Sequence, residues 1–255
     1  MSLDAVPVSA PPRVRDLLRR TPDGPVAIVH AGPHAVYVAL GEPGDQRCVG
    51  VLGRDAVLVP CGLRSRIEDF GTWPCESAYV AFGTLHVDSR PLSVGRAVAV
   101  RVPPLDHRAY PRHAASPAAR AATPQAAVAG LVPPLDHAWV DRLVGAGDGL
   151  TPYGDDVLCG WLATHRAAGV PTAGVDAAVR AAMRRTTLLA ATLLDCAMHG
   201  EVLPQLGDYL RAVGTPDEPR AAADLRAVGG SSGEGLLLGA RLALDELSTR
   251  GERAA

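Results

Sequence analysis

The sequence predicts an α+β protein: a small strand-rich, barrel-like N-terminal domain followed by a mainly helical domain with two Gly-rich helix starts. Three observations predict it. Short Val-rich alternating stretches, broken by Gly and Pro, dominate the N-terminal part. Beyond Trp139 longer apolar patterns of helical period replace them. The 27 Gly and 22 Pro, set against only five Tyr, three Trp and two Phe, describe a chain of many breaks whose core must be built from Leu, Val and Ala.

With 255 residues, 47% of them hydrophobic, the chain is long enough for one or two domains with a real core. A formal net charge of -2 offers no general attraction to nucleic acid or to an anionic membrane, so neither is expected as a partner. Cys48, Cys61, Cys75, Cys159 and Cys196 form no CxxC pair, and their odd number argues for reduced thiols over a disulfide scaffold. The opening MSLDAVPVSAPPRVRD lacks the basic start and apolar stretch of a signal peptide, and no run reaches the roughly 20 apolar residues of a membrane span. A cytoplasmic location is the expectation.

In chain order, a short helix is expected at 12–20, then strands in 27–40, 48–53, 56–60, 79–87 and 96–102, where β-branched and aromatic residues lie between turn signals. No long crossover helix separates them, which favours an antiparallel or barrel-like unit over a parallel one. This strand-rich domain is placed at 20–110, a Pro/Ala-rich connection with an Ala-rich helix near 115–130 at 111–138, and the helical domain at 139–250. The hexapeptide VPPLDH occurs at 102–107 and again at 132–137; Asp106 or Asp136 suits a turn cap, and His107 or His137 is the ligand-facing alternative. Helices are expected at 155–168, 174–199, 201–213, 219–228 and 234–248. In 174–199 Val175, Val179, Met183, Leu188, Leu189, Thr192, Leu193 and Cys196 supply an apolar stripe, while Thr186 and Thr187 mark a local bend or a ligand-facing polar patch. His30, His34, His86, His165 and His199 are scattered over different elements and read as ordinary polar or core residues.

Two Gly-rich segments carry the chemistry. In GAGDGLTPYGDDVLCGWLAT, residues 145–164, Gly145, Gly147 and Gly149 permit tight turns, Thr151 and Pro152 suit a helix start, and Gly154-Asp155-Asp156 leads into an apolar-periodic helix. Exposed amides there suit phosphate or carboxylate. Asp155 and Asp156 suit capping, divalent-cation binding or the positioning of a nucleophile, and because neighbours on a helix diverge by about 100°, one is free to face a ligand while the other fixes the loop. Neither a Walker motif nor a dinucleotide fingerprint is present. In VGGSSGEGLLLGARLAL, residues 228–244, Ser231, Ser232 and Gly233 precede a second such run. Residues 154–160 and 233–239 form a weak repeat offset by 79 positions, which suits either two helix starts facing one anionic ligand, with Thr151 and Ser231 or Ser232 donating hydroxyl bonds, or two structural caps on opposite sides of a helical domain. Arg184 and Arg185 read as exposed helical cations that can supplement anion binding.

The string Gly145-x-Gly147-x-Gly149-Leu150-Thr151-Pro152-x-Gly154-Asp155-Asp156, with Leu158 and Gly160, and the later Gly229-x-Ser231-Ser232-Gly233 with Leu237 and Gly239, resemble the motifs of the AllH-like proteins. Tyr153, Gly230 and Gly235 depart from that pattern at positions where the family commonly has Ser, a polar residue or His, and Asp. The resemblance implies a subunit of an oxamate carbamoyltransferase, active in purine catabolism and allantoin degradation, with a small anionic substrate and companion subunits that include a succinyl-CoA-synthetase-like protein. It implies Asp155 and Asp156 as catalytic residues, Gly149, Thr151, Gly154, Ser231, Ser232 and Gly233 as substrate contacts, and Asp156 as the ligand should Mg²⁺ be used. The alternatives are a noncatalytic gating subunit of a synthetase-like complex and a Mg²⁺-dependent phosphohydrolase or lyase.

Overall fold

The computed structural model describes residues 5–42, 44–105, 128 and 134–253. The chain divides into two compact units, 1–100 and 101–255, and its architecture is α+β.

The first unit carries β1 (Val6–Ala10), α1 (Pro12–Arg20), β2 (Gly24–Val26), β3 (Ile28–Ala31), β4 (Ala35–Leu40), β5 (Arg47–Leu52), β6 (Gly62–Arg64), β7 (Ala78–Ala81), β8 (Thr84–Val87) and β9 (Arg90–Ala97). The strands form one sheet in the order β2-β7-β8-β9-β1-β6-β5-β4-β3. Its terminal strands, β2 and β3, are separated in sequence by Ala27 alone, and the Ala39 amide donates to the Ala27 carbonyl at 2.9 Å. The two ends of the sheet are therefore one continuous segment, and the sheet nearly closes into a barrel. Pairing is antiparallel except between β1 and β9 and between β5 and β6.

Alternation fills the core. Val36, Val38 and Leu40 from β4, Val49 and Val51 from β5, Val80, Leu85 and Val87 from β7 and β8, and Val14 and Leu18 from α1 form one buried cluster. Two consecutive two-residue hairpins, Phe82-Gly83 and Asp88-Ser89, have positive φ at both central positions, the geometry that matches strand twist. Asp88 offsets its strained backbone by accepting from the amides of Cys75, Glu76 and Ser77.

The expected strand at 56–60 is a loop. Ala56 donates to Gly53, Val59 to Val57 and Gly62 to Val59, so these amides are satisfied by tight local turns and have nothing left for a ladder. The expected strand at 96–102 ends at Ala97, in a β9 that begins six residues earlier than 96. β1 lies outside the expected strand-rich span, and β6 is a further strand that the alternation did not mark.

The second unit holds α2 (His137–Leu143), α3 (Tyr153–Ala167), α4 (Ala173–Ala182), α5 (Leu188–Met198), α6 (Pro204–Ala212), α7 (Glu218–Arg226) and α8 (Ser232–Arg253). The expected single helix at 174–199 is two helices. A 3-10 turn at Met183–Arg185 and the Thr186-Thr187 pair break it, and Thr187 caps α5 by accepting from the Ala190 amide. Asp136 of the second VPPLDH copy caps α2, accepting from Ala138 and Trp139. Asp106 and His107 of the first copy, and the Ala-rich helix expected near 115–130 apart from Val128, lie outside the described residues.

Every residue of α3 but Arg166 is buried, so this helix is the axis of the unit. It crosses α8 at backbone contact. A Cβ on Gly160 would sit 2.0 Å from the Leu236 carbonyl oxygen, and one on Gly239 would sit 1.9 Å from that of Val157. Adding 79 to 157 and 160 gives 236 and 239, so the two contacts are the same contact seen from either copy of the repeat. The repeat is thus a local two-fold device in which glycines let two helices touch. Gly154 and Gly233 repeat the relation one layer out, against the carbonyls of Leu143 in α2 and Leu225 in α7.

Candidate functional site

The two helix starts meet. Thr151 Oγ1, in the loop before α3, lies 2.8 Å from Ser232 Oγ at the start of α8. Three glycines shape that loop. Gly145 and Gly147 have φ of 76° and 120°, and a Cβ at either would press on the Arg185 carbonyl or the Tyr153 amide; Gly149, at φ 86°, faces open space. Thr187 donates to the Leu150 carbonyl at 2.6 Å, tying the loop to the break between α4 and α5.

Asp155 and Asp156 have different partners. Asp155 accepts from the Gly145 amide at 3.0 Å and the Thr186 hydroxyl at 2.5 Å, so both of its oxygens brace the loop. Burial still raises its pKa, against the lowering effects of Thr186, Gly145 and the Arg185 charge. Asp156 is 4% exposed, and its Oδ2 is buried with no hydrogen-bond partner among the described residues. Burial pushes this carboxyl up to about 8; the Ser232 hydroxyl opposes the shift and the Asp155 charge adds to it. At neutral pH Asp156 is therefore mainly a protonated acid, able to donate.

Expected amide donors are partly committed. Gly154 donates to Ala146, Asp155 and Asp156 to Pro152, Gly233 to Val228 and Gly235 to Ser231. The amides of Gly149, Thr151, Gly230 and Ser231, in the loops preceding the two helix starts, make no backbone hydrogen bond among the described residues. Gly154 and Gly233 act as packing residues, with no room for a side chain. Arg185 is held by Asp141 at 3.1 Å, while Arg184 is exposed.

Gly235 is the repeat counterpart of Asp156, and the two face each other: a Cβ at 235 would lie 2.8 Å from the Asp156 Cβ. The crossing has room for one acid, not two. Tyr153 is buried, with its ring 3.4 Å from that same position.

Among the described residues no group of three His, Cys, Asp or Glu could hold a metal ion. Asp155 is spent on Gly145 and Thr186, and Asp156 would have to give up a proton that burial retains. These carboxylates do not fit a Mg²⁺ cage. None of the five cysteines forms a disulfide, and burial raises the Cys159 thiol well above its usual range, which makes it a packing group rather than a nucleophile.

Residues 143–244, from the end of α2 into α8, match the family model described as oxamate carbamoyltransferase subunit AllH. Neither the curated proteins nor the solved structures gave a significant match. No helix among the described residues is long and apolar enough to cross a membrane.

Proposed function

We propose that this AllH-like chain is a subunit of a carbamoyltransferase complex, contributing an anion-binding loop pair and a protonated carboxylic acid to transfer between carbamoyl phosphate and oxamate or a related small amide. The observation that carries this reading is the Thr151–Ser232 contact at 2.8 Å, beside the unpartnered Oδ2 of Asp156.

Transfer of a carbamoyl group requires recognition of anionic oxygens and stabilisation of charge on the carbonyl oxygen. The sequence contains no lysine, so anion recognition within this chain falls to amides, hydroxyls and arginine. The loop amides of Gly149, Thr151, Gly230 and Ser231 supply the first, with Thr151 and Ser232 as hydroxyl contacts. Asp156 supplies a proton to a developing oxyanion or leaving oxygen, and Asp155 positions the loop. Companion subunits, a succinyl-CoA-synthetase-like protein among them, complete the site.

Turnover of carbamoyl phosphate with oxamate and related amides is followed for the chain alone and with candidate companions. The expected result is turnover only in the complex, reduced about 100-fold or more by Asp156→Asn with assembly intact. Full turnover by that variant complex would make the chain a noncatalytic gating subunit. Mg²⁺-dependent phosphate release by the isolated chain, abolished by Asp156→Asn, would replace the proposal with a phosphohydrolase.

A further inference from the structure

In the strand-rich unit, Arg64 of β6 and Arg96 of β9 stand on either side of Ser9 of β1. The three strands are neighbours in the sheet, and Ser9 is in register with Arg64 on one side and with Arg96 on the other. Side chains alternate across a sheet, and Val8, Ala10 and Leu63 belong to the buried cluster, so Ser9, Arg64 and Arg96 share the opposite, outer face. At a strand spacing of about 4.8 Å, the Cα atoms of the two arginines are roughly 10 Å apart, with Ser9 between them.

Nothing on these strands neutralises the arginines. Residues 5–15, 56–67 and 89–100, which hold the three strands and their flanks, contain two arginines each and no acid, in a chain whose formal net charge is -2. Arg96 is exposed and Arg64 half-buried, and neither has an ion pair among the described residues. Nε and Nη2 of Arg64 are closed off from solvent without a hydrogen-bond partner, which leaves Nη1 as the end that an anion can reach. Burial lowers the pKa of this guanidinium, and no carboxylate charge opposes the shift. A guanidinium stripped of water without a counter-charge costs stability, which an anion at its open end would restore.

We infer that this outer face binds a phosphate group, bridged by Arg64 Nη1 and the Arg96 guanidinium over the Ser9 hydroxyl. The tetrahedral dianion turns oxygens in several directions, enough for both guanidiniums and the hydroxyl, and its charge matches the two cations. A carboxylate has two oxygens in one plane and a single charge, which suits one arginine fork.

The test uses the full chain in chloride buffer, titrated with inorganic phosphate or with acetate at constant ionic strength and followed by ³¹P NMR and calorimetry. Saturable binding of phosphate with a raised unfolding midpoint is expected, and no binding of acetate. Arg64→Met and Arg96→Ala should each weaken phosphate binding about tenfold or more. Without anion, Arg64→Met should raise the midpoint by about 2 °C or more, because an apolar chain replaces an unpaired, desolvated charge; an arginine serving only the fold would give the opposite sign. Thr151→Val combined with Ser232→Ala should leave this binding unaltered, which separates it from the carbamoyl phosphate contacts proposed for the helical unit. No saturable phosphate binding, binding indifferent to Arg64→Met, equal binding of acetate, or a lowered midpoint in Arg64→Met would each overturn the inference. So would binding of oligodeoxythymidylate without binding of phosphate, which would make this face a nucleic-acid surface.

Discussion

Replacing Asp156 by Asn should stabilise the helical unit, and by an amount that grows with pH. Burial carries the carboxyl from an ordinary value of 3.8 to about 8 in the folded chain. At pH values below 3.8 the group is protonated folded or unfolded, and its ionisation contributes nothing. Between the two values the unfolded chain releases a proton that the folded chain keeps, so stability falls as pH rises, by about 1.4 kcal/mol per pH unit. The penalty approaches roughly 4 kcal/mol near neutral pH and levels off above the folded pKa, near a ceiling of about 6 kcal/mol. Asparagine has nearly the same shape and does not ionise, so the variant escapes the penalty. Urea unfolding followed by fluorescence in a Trp73→Phe background, where Trp139 and Trp161 report on the helical unit, measures the difference at several pH values. Asp155 is present in both proteins, and to first order its contribution cancels. The expected advantage of the Asp156→Asn variant grows by several kcal/mol from about pH 5 to about pH 8. Parallel stability curves, or a variant less stable at every pH, would refute the assignment of Asp156 as a buried neutral acid.

Gly160→Ala and Gly239→Ala each place a methyl inside a carbonyl oxygen's radius and should cost upwards of about 3 kcal/mol by urea unfolding. Equal losses from the two would reflect the two-fold relation of the contacts. Asp155→Ala strips the Gly145 amide and Thr186 hydroxyl of their shared acceptor, an expected loss of about 2–3 kcal/mol, with faster hydrogen exchange at Gly145. Asp136→Ala removes the cap of α2 and should cost about 1 kcal/mol in the same assay.

Much of this architecture is legible in the residues. Pro12 and the basic close of 12–20 bound α1, and the repeat offset of 79 foreshadows the α3–α8 crossing, because glycines at matching places permit it. Other features depend on partners that periodicity does not see. Val57 and Val59 look like strand residues, yet their segment folds into turns closed by its own carbonyls. Pro7 argues against a strand, yet it pairs with Ser93 of β9, while on the other side of β1 the register with β6 is confined to Ser9. The apolar stripe of 174–199 continues through Thr186 and Thr187, but their hydroxyls bond to Asp155 and the Leu150 carbonyl, so the backbone leaves the helix there. Which of two adjacent aspartates braces the loop depends on residues ten and thirty-one positions from Asp155, beyond the reach of local spacing.

The shared segment 24–31 has a consequence for assembly. Sheets with open margins recruit foreign strands by β-augmentation, and unguarded margins invite aggregation. Because β2 and β3 run into one another through Ala27, the two end strands of the sheet offer margins of only three and four residues among the described residues. An insertion at Ala27 would separate β2 from β3 and turn the nearly closed sheet into a template for strand exchange.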